Sequence, residues 1–246
     1  MARQSHVPPI LLTRPAAQAD RFAALLRARM GELAIVTSPL LAPEFLATPL
    51  PAAPVTGLVF TSETGVAGFL RLPAAASLAG LPVWCVGDQT ARVARAAGLA
   101  ARSASGDAAA LLTAIVAAGG KGPLLHLCGQ DTRGNLAARL TGAGISTTAV
   151  TVYAQRPQGL TPGAMALLHG PAPVVVPLFS PRTAALFAAA AGTITPLAPL
   201  WVVAFSPAVA DAVPQQLSTR LRISAAPDAA AMAEAVAALI AAAPHA

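Results

Sequence analysis

The chain has 246 residues, of which 55 % are hydrophobic and only 11 % charged, and its formal net charge is +6. This composition supports a sizeable core and excludes a disordered chain, while the length suits one large domain or two modest ones. The positive charge favours anionic partners, but the arginines are scattered and no basic stripe carries interleaved aromatic residues, so nucleic acid is not an expected partner. No apolar run is long enough to span a bilayer and the N-terminus lacks a signal-peptide core, so we expect a cytoplasmic protein without a membrane partner.

Short apolar runs alternate with alanine-rich, helix-like stretches along most of the chain. Strands are predicted at Pro9–Thr13, Leu33–Thr37, Leu58–Thr61, Val83–Val86, Leu124–Leu127, Val174–Phe179, Leu200–Phe205 and Leu221–Ser224. The first helix is predicted at Ala16–Met30, and the segments Pro39–Pro54 and Arg156–Pro173 are predicted to be linkers. The alternation predicts an α/β fold whose parallel sheets are covered on both faces.

An internal repeat adds to this prediction. The sequence LVFTSETGVAGF at Leu58–Phe69 matches VPLFSPRTAALF at Val176–Phe187, and the two tryptophans fall at nearly equivalent points after these segments. A third and looser match begins at Leu11 and at Leu124. Three matches in the same order predict two lobes of one topology.

The predicted strands end in small or hydroxyl-bearing residues, each before a predicted helix. These ends are Thr13–Pro15, Thr61–Ser62, Gly87–Asp88, Cys128–Gln130, Phe179–Pro181 and Phe205–Pro207. Ligands of open parallel sheets bind beyond the carboxyl ends of the strands, and the free N–H groups of helix N-termini suit carboxylates or phosphates. The serines can equally be helix caps, and a capping serine can also line a site. A cleft for a small anionic molecule is therefore expected.

The sequence lacks phosphate-loop, nucleophile-elbow and zinc-protease motifs, and its four histidines are too dispersed for a metal cluster, so neither a metal nor a nucleotide is expected. His126 lies within a predicted strand and is interpreted as a core residue. Cys85 and Cys128 are predicted to be buried thiols. Tyr153 is the only tyrosine, and its phenol suits proton donation to a leaving group as well as simple packing.

Six ordered motifs resemble uroporphyrinogen-III synthases over almost the whole chain. They are LLTRP from Leu11, FTSETGV from Phe60, VGDQTA from Val86, CGQDTRxxL from Cys128, VxVY ending at Tyr153, and FSP from Phe179. The resemblance implies two flavodoxin-like domains with parallel sheets, formed by residues 1–37 with 155–246 and by residues 38–154. It further implies a two-strand connection at Leu33–Thr37 and Thr148–Tyr153. We expect a monomer, because no exposed amphipathic stripe calls for a partner.

The resemblance also implies an activity, the cyclisation of hydroxymethylbilane to uroporphyrinogen III with inversion of ring D and loss of water. Such an enzyme is a lyase of porphyrin and heme biosynthesis and uses no cofactor. Tyr153 corresponds to the family's tyrosine, which is implied to assist departure of the ring A hydroxyl. The implied substrate-binding residues are Arg14, Ser62, Gly87, Thr90, Gly129, Arg133, Ser180, Pro181 and Ser206.

Two departures from the family pattern bear on individual residues. Cys128 stands where the family often has arginine, and Ala204–Pro207 replaces a G-x-x-T-A pattern. A different class of function, a non-catalytic two-lobed binding protein for an anionic metabolite, remains as the alternative. The presence of Tyr153 and of most strand-end hydroxyls favours the enzyme.

Overall fold

A computed structural model describes residues 7–132 and 134–242. Within them, unit 1 comprises the residues up to Ala42 and those from Pro157, and unit 2 comprises Pro43–Arg156. The chain thus passes between the units at 42–43 and at 156–157, whereas the boundaries expected from the sequence follow residues 37 and 154. No described helix has the length and apolar character needed to cross a membrane.

The described residues form strands and helices in near-regular alternation. The strands are β1 (Ile10–Leu12), β2 (Ile35–Thr37), β3 (Leu41–Phe45), β4 (Gly57–Phe60), β5 (Val83–Cys85), β6 (Ala101–Ser103), β7 (Leu124–Gly129), β8 (Thr147–Pro157), β9 (Val174–Leu178), β10 (Leu200–Ala204) and β11 (Arg220–Ile223). The α-helices are α1 (Ala16–Met30), α2 (Glu63–Phe69), α3 (Ala75–Leu78), α4 (Asp88–Ala96), α5 (Ala108–Ala117), α6 (Leu136–Gly142), α7 (Pro162–Leu168), α8 (Pro181–Ala191), α9 (Pro207–Ala210) and α10 (Ala229–Ala241).

Unit 1 is built on a five-stranded sheet in the order β11-β10-β9-β1-β2, and the strand pairs described in it are parallel. Read from β2, the order in chain sequence is 2-1-3-4-5, which is the flavodoxin order. One face of this sheet packs Leu11 and Val176 against Phe187, and the other packs Ile10 against Phe22. Burial on both faces explains why these strands read as continuous apolar runs.

Unit 2 repeats this arrangement in a permuted order. Its sheet has the order β3-β8-β7-β4-β5-β6, so β8-β7-β4-β5-β6 occupies the places that β2-β1-β9-β10-β11 occupies in unit 1. The sequence repeats fall on equivalent strands, since Trp84 lies in β5 and Trp201 in β10. The helices after β4 and β9 begin at equivalent serines, Ser62 and Ser180. The prediction of two parallel α/β lobes of one topology is therefore confirmed.

The predicted strand Thr148–Tyr153 lies in β8 and has a partner strand, but that partner differs from the predicted one. The segment Leu33–Thr37 is not a crossing strand, because β2 lies within it and pairs in parallel with β1 inside unit 1. The partner of β8 is β3, which lies in the predicted linker Pro39–Pro54. Backbone hydrogen bonds join the Leu40 carbonyl to the N–H of Gln158 and the N–H of Leu46 to the carbonyl of Val152, so the two strands run antiparallel.

Pro43 is compatible with a strand at this position because β3 lies at the edge of the sheet, where a missing N–H leaves no inner hydrogen bond unmade. The second predicted linker, Arg156–Pro173, also contains regular structure. Helix α7 lies inside it, with the Thr161 hydroxyl as its cap and Pro162 in its first turn.

Candidate functional site

A cavity lies at the carboxyl ends of β4 and β7 in unit 2. From this point the chain continues from β4 to β5 on one side and from β7 to β8 on the other. The loops therefore diverge and leave a crevice, as at the ligand sites of other open α/β sheets. The cavity has a volume of about 220 Å³, and its lining includes Thr61, His126, Gly129, Asp131, Thr132 and Tyr153.

Tyr153 presents its hydroxyl beside that of Ser62, with the two oxygens 3.1 Å apart. Ser62 follows β4 and caps α2, where its Oγ accepts a hydrogen bond from the N–H of Gly65 at 3.0 Å. Because this bond uses a lone pair of Ser62, the serine hydrogen is free to point at the tyrosine oxygen. Capping and contact with Tyr153 thus coexist in one side chain.

The position of the Tyr153 ring depends on Gly129. The pairing of β7 with β8 shifts register here, so that Cys128 faces Thr151 while Gly129 faces Tyr153 and one residue of β8 is passed over. A Cβ atom on Gly129 would stand 2.6 Å from Cζ of the tyrosine. The register shift and the absence of a side chain on Gly129 together create the space that the Tyr153 ring occupies. Bulges often orient side chains in this way next to functional sites.

His126 lies in the middle of β7, and its side chain is only 3 % exposed. Its Nε2 is 3.4 Å from the Thr61 hydroxyl oxygen, which is at the long limit of a hydrogen bond. Burial lowers the pKa of His126 to about 4, so the ring is neutral at physiological pH. The histidine is buried, as its place in a strand indicated, but its ring also lines the cavity, which the sequence did not indicate.

Gly87 and Thr90 lie in the same unit but outside the cavity. Gly87 is the N-cap of α4, and Thr90 is buried in the first turn of that helix. The helix packs beside α2, where Gln89 donates to the Glu63 carboxylate at 3.4 Å.

The remaining predicted binding residues are in unit 1, except Arg133, which lies outside the described residues. Arg14 follows β1 and stacks its guanidinium 3.8 Å from the centre of the Phe179 ring. Ser180 caps α8, with its Oγ accepting from the N–H of Thr183 at 3.1 Å, and Pro181 occupies the first turn of that helix. Ser206 begins α9 without a side-chain capping bond.

Two further polar features concern the chemistry available. The buried hydroxyl of Thr13, at the end of β1, has no hydrogen-bond partner among the residues the structure describes. Among the residues that the structure describes, no group of three or more His, Cys, Asp or Glu side chains is placed to hold a metal ion. The described groups around the cavity are therefore hydroxyls, a neutral imidazole, the Asp131 carboxylate and the backbone.

Comparison with known proteins decides the family. The family model HEM4, described as uroporphyrinogen-III synthase HemD, matches residues 20–234. The chain belongs to the uroporphyrinogen-III synthase family. Membership confirms the resemblance and assigns the chain to the cyclising hydro-lyases of porphyrin biosynthesis. It lends no support to the alternative of a non-catalytic binding protein.

The fold agrees with this assignment. The structure is similar to uroporphyrinogen-III synthetase from Helicobacter pylori 26695, with a TM-score of 0.67 and 16 % identity over 94 % of this chain and 99 % of that one. A mutant uroporphyrinogen III synthase from the extremely thermophilic bacterium Thermus thermophilus matches over 95 % of this chain and 99 % of its own at 15 % identity, with a TM-score of 0.47. No curated protein matches the chain.

One departure from the family pattern has a simple structural account. Cys128 is buried on β7, and its thiol lies 3.7 Å from the Val150 carbonyl. Burial raises the pKa of Cys128 and raises that of Cys85 to about 11, so both are protonated at physiological pH. Cys128 thus behaves as a small core residue rather than as a substitute for a surface arginine.

Proposed function

We propose that the unit 2 cavity carries the first chemical step in the conversion of hydroxymethylbilane to uroporphyrinogen III, with Tyr153 as the proton donor. The observation that supports this is the Tyr153 hydroxyl, which borders the cavity and lies 3.1 Å from Ser62. A phenol held at one end by a hydroxyl and along its ring by Gly129 is oriented before the substrate arrives.

The proposed step breaks the C–O bond of the ring A hydroxymethyl group. The phenol proton moves to the departing oxygen, which leaves as water. The lone pair of the pyrrole nitrogen then delocalises toward the methylene carbon that lost the oxygen, and the ring becomes an azafulvene cation. The phenolate that remains on Tyr153 is stabilised by the hydrogen of Ser62, whose other bond runs to the N–H of Gly65. Ring D then attacks the cation through its substituted α-carbon to give a spiro intermediate. The bond from that carbon to the bridge with ring C breaks, the other α-carbon of ring D forms a bond to this bridge, and the proton that it loses restores the Tyr153 phenol.

Orientation matters more than acid–base strength in this reaction. Spontaneous closure of the substrate gives the uninverted isomer. The protein must therefore hold the two ends of the linear tetrapyrrole in the geometry that leads to inversion of ring D. We propose that the substrate carboxylates bind to strand-end residues that the family resemblance implies, namely Gly87, Thr90, Arg14, Ser180, Pro181 and Ser206. Stacking on Phe179 holds the Arg14 guanidinium in one plane, which suits a carboxylate.

The test is an isomer analysis. Freshly generated hydroxymethylbilane is incubated with the protein, and the oxidised products are separated into isomers I and III. An excess of isomer III over a protein-free control supports the proposed function. Isomer I alone from folded protein contradicts it.

Replacing Tyr153 by phenylalanine tests the proton donor. General acid catalysis contributes about 10²-fold or more, so Tyr153→Phe is expected to lower kcat by about that factor while KM stays nearly constant. Phenylalanine keeps the ring against Gly129, so the fold is preserved and the melting temperature serves as the control. An unchanged kcat would remove Tyr153 from the mechanism.

The cellular setting and assembly state also belong to the proposal. We assign the protein to the cytoplasm as a monomer that binds neither nucleic acid nor membrane, which accords with the scattered placement of its 16 basic residues. Sedimentation at several concentrations should return the chain mass of 24.5 kDa. A mass that rises with concentration would contradict the monomer.

A further inference from the structure

His126 has hydrogen-bonding capacity that no described residue uses. Its ring has one hydrogen-bond partner within residues 7–132 and 134–242, the Thr61 hydroxyl at 3.4 Å from Nε2. A neutral imidazole has one N–H and one lone pair, so a second position on the ring is available to a ligand. Because the ring is 3 % exposed and lines the cavity, a ligand would reach that position through the cavity itself.

The size of the cavity limits what can enter. Pockets that enclose a drug-sized ligand measure roughly 300–1,000 Å³, and this cavity holds about 220 Å³. A whole tetrapyrrole is too large for such a space, whereas a single five-membered ring fits. The cavity therefore takes one ring of the substrate and leaves the others outside.

The chemistry of the ring pair is uncharged. A neutral imidazole and a threonine hydroxyl carry no charge, so these two groups suit a neutral donor better than a carboxylate, whose loss of hydration is costly. A pyrrole N–H is a neutral donor that needs one acceptor. If Nε2–H donates to Thr61, then Nδ1 carries the lone pair that a pyrrole N–H requires.

We propose that His126, held by Thr61, accepts a hydrogen bond from the N–H of one pyrrole ring and so places that ring in the cavity lined by Tyr153. This inference rests on the proposed function and adds a binding residue to it. His126 holds the ring in both the ground state and the transition state. Its loss therefore weakens substrate binding and leaves the rate of the bound complex almost unchanged.

The experiment compares His126→Phe with His126→Gln under steady-state conditions with hydroxymethylbilane. Phenylalanine fills the space without an acceptor, and we expect KM to rise about five- to tenfold with kcat nearly constant, the size expected for one neutral hydrogen bond. Glutamine supplies a neutral acceptor and should return KM to within about threefold of the native value. His169→Phe, at an exposed histidine in unit 1, is the matched control and should change neither constant.

A second variant covers the case in which His126→Phe does not melt cooperatively. Thr61→Val keeps the shape of the side chain and removes the group that orients the ring, so KM should rise by about threefold. An unchanged KM in this variant, or in folded His126→Phe, overturns the inference while the native protein still forms isomer III. A fall in kcat at constant KM overturns it too, as does a folded glutamine variant as defective as phenylalanine. If the native protein forms isomer I alone, the proposed function itself is contradicted, and this result is distinct from those that overturn the role of His126.

Discussion

Gly129 shows how a residue without a side chain supports one with chemistry. The Tyr153 ring lies directly over it, and a Cβ there would approach Cζ to 2.6 Å and the hydroxyl oxygen to 2.8 Å. Both atoms lie at the far end of a rigid ring, so an added methyl group forces the whole ring, and with it the hydroxyl beside Ser62, to move. The position of the phenol is therefore encoded on β7 as much as on β8.

We expect Gly129→Ala to lower kcat by about tenfold or more, because small displacements of a positioned group are costly in rate. In a Tyr153→Phe background the same substitution should cost much less, since the group it displaces is gone. Gly142→Ala is the matched control, because a Cβ there meets no atom within 4 Å. Full additivity of the two losses would show that Gly129 does not act through Tyr153.

Among the secondary-structure elements, the helices α8 and α9 begin at predicted binding serines, Ser180 and Ser206, that differ in whether the side chain caps the helix. Ser180 caps α8, an 11-residue helix, through the N–H of Thr183, whereas Ser206 begins the four-residue α9 with no side-chain bond. Loss of a capping hydroxyl costs about 1 kcal/mol. The two side chains can therefore be separated by stability measurements before any substrate is added.

We expect Ser180→Ala to lower the free energy of unfolding of unit 1 by about 1 kcal/mol and Ser206→Ala to leave it nearly unchanged. Denaturant titration followed by the fluorescence of Trp201, in a Trp84→Phe background, reports on unit 1 because each unit contains one of the two tryptophans. Equal losses in the two variants would contradict this account. A rise in KM for Ser206→Ala at native stability would then identify a substrate contact.

The strands that the sequence predicts well are those buried on both faces. β1, β4, β7, β9 and β10 read as apolar runs because every position meets a helix-covered face. β3 has the sequence LAPEF with two exposed residues, so its pattern carries neither alternation nor an apolar run. Its proline and glutamate are tolerated because the strand lies at the edge of the sheet.

The local sequence pattern also could not predict which strands pair with each other. Nothing in the composition of Leu33–Thr37 distinguishes a strand that stays within unit 1 from one that crosses to unit 2, because that difference lies in tertiary pairing. For the same reason an apolar run around His126 indicates burial but not the cavity beside it. Ser62 and Gly129 stood out in the sequence as small residues at strand ends, and Tyr153 as the only tyrosine, while the roles predicted for all three came from the family resemblance.

At the scale of the whole molecule, burial of one neutral histidine makes stability depend on pH. The pKa of His126 is lowered from 6.5 to about 4 in the folded protein. Between these values the unfolded chain binds a proton that the folded chain does not, so acid favours unfolding. The resulting loss begins as the pH falls through 6.5 and is complete below about 4.

We expect this single group to lower the free energy of unfolding of unit 2 by up to roughly 3 kcal/mol between pH 7 and pH 4. The measurement uses a Trp201→Phe background, so that Trp84 alone reports, and compares it with the same protein carrying His126→Phe. The difference between the two pH profiles isolates His126 from the carboxylates, which titrate in both. Parallel profiles would mean that the pKa of His126 is the same in the folded and unfolded states, which contradicts this account.

The permuted strand order has a consequence for synthesis of the chain. Ile10 of β1 pairs with Val175 of β9, 165 residues later, whereas the strands of unit 2 lie almost wholly within 43–156. At translation rates of about 5–20 residues per second, β9 is synthesised roughly 10–30 s after β1. Unit 2 can thus assemble while β1 has β2 as a partner but still lacks β9 on its other side. The later synthesis of β9, β10, β11 and α10 supplies the remaining elements of the unit 1 sheet and its cover.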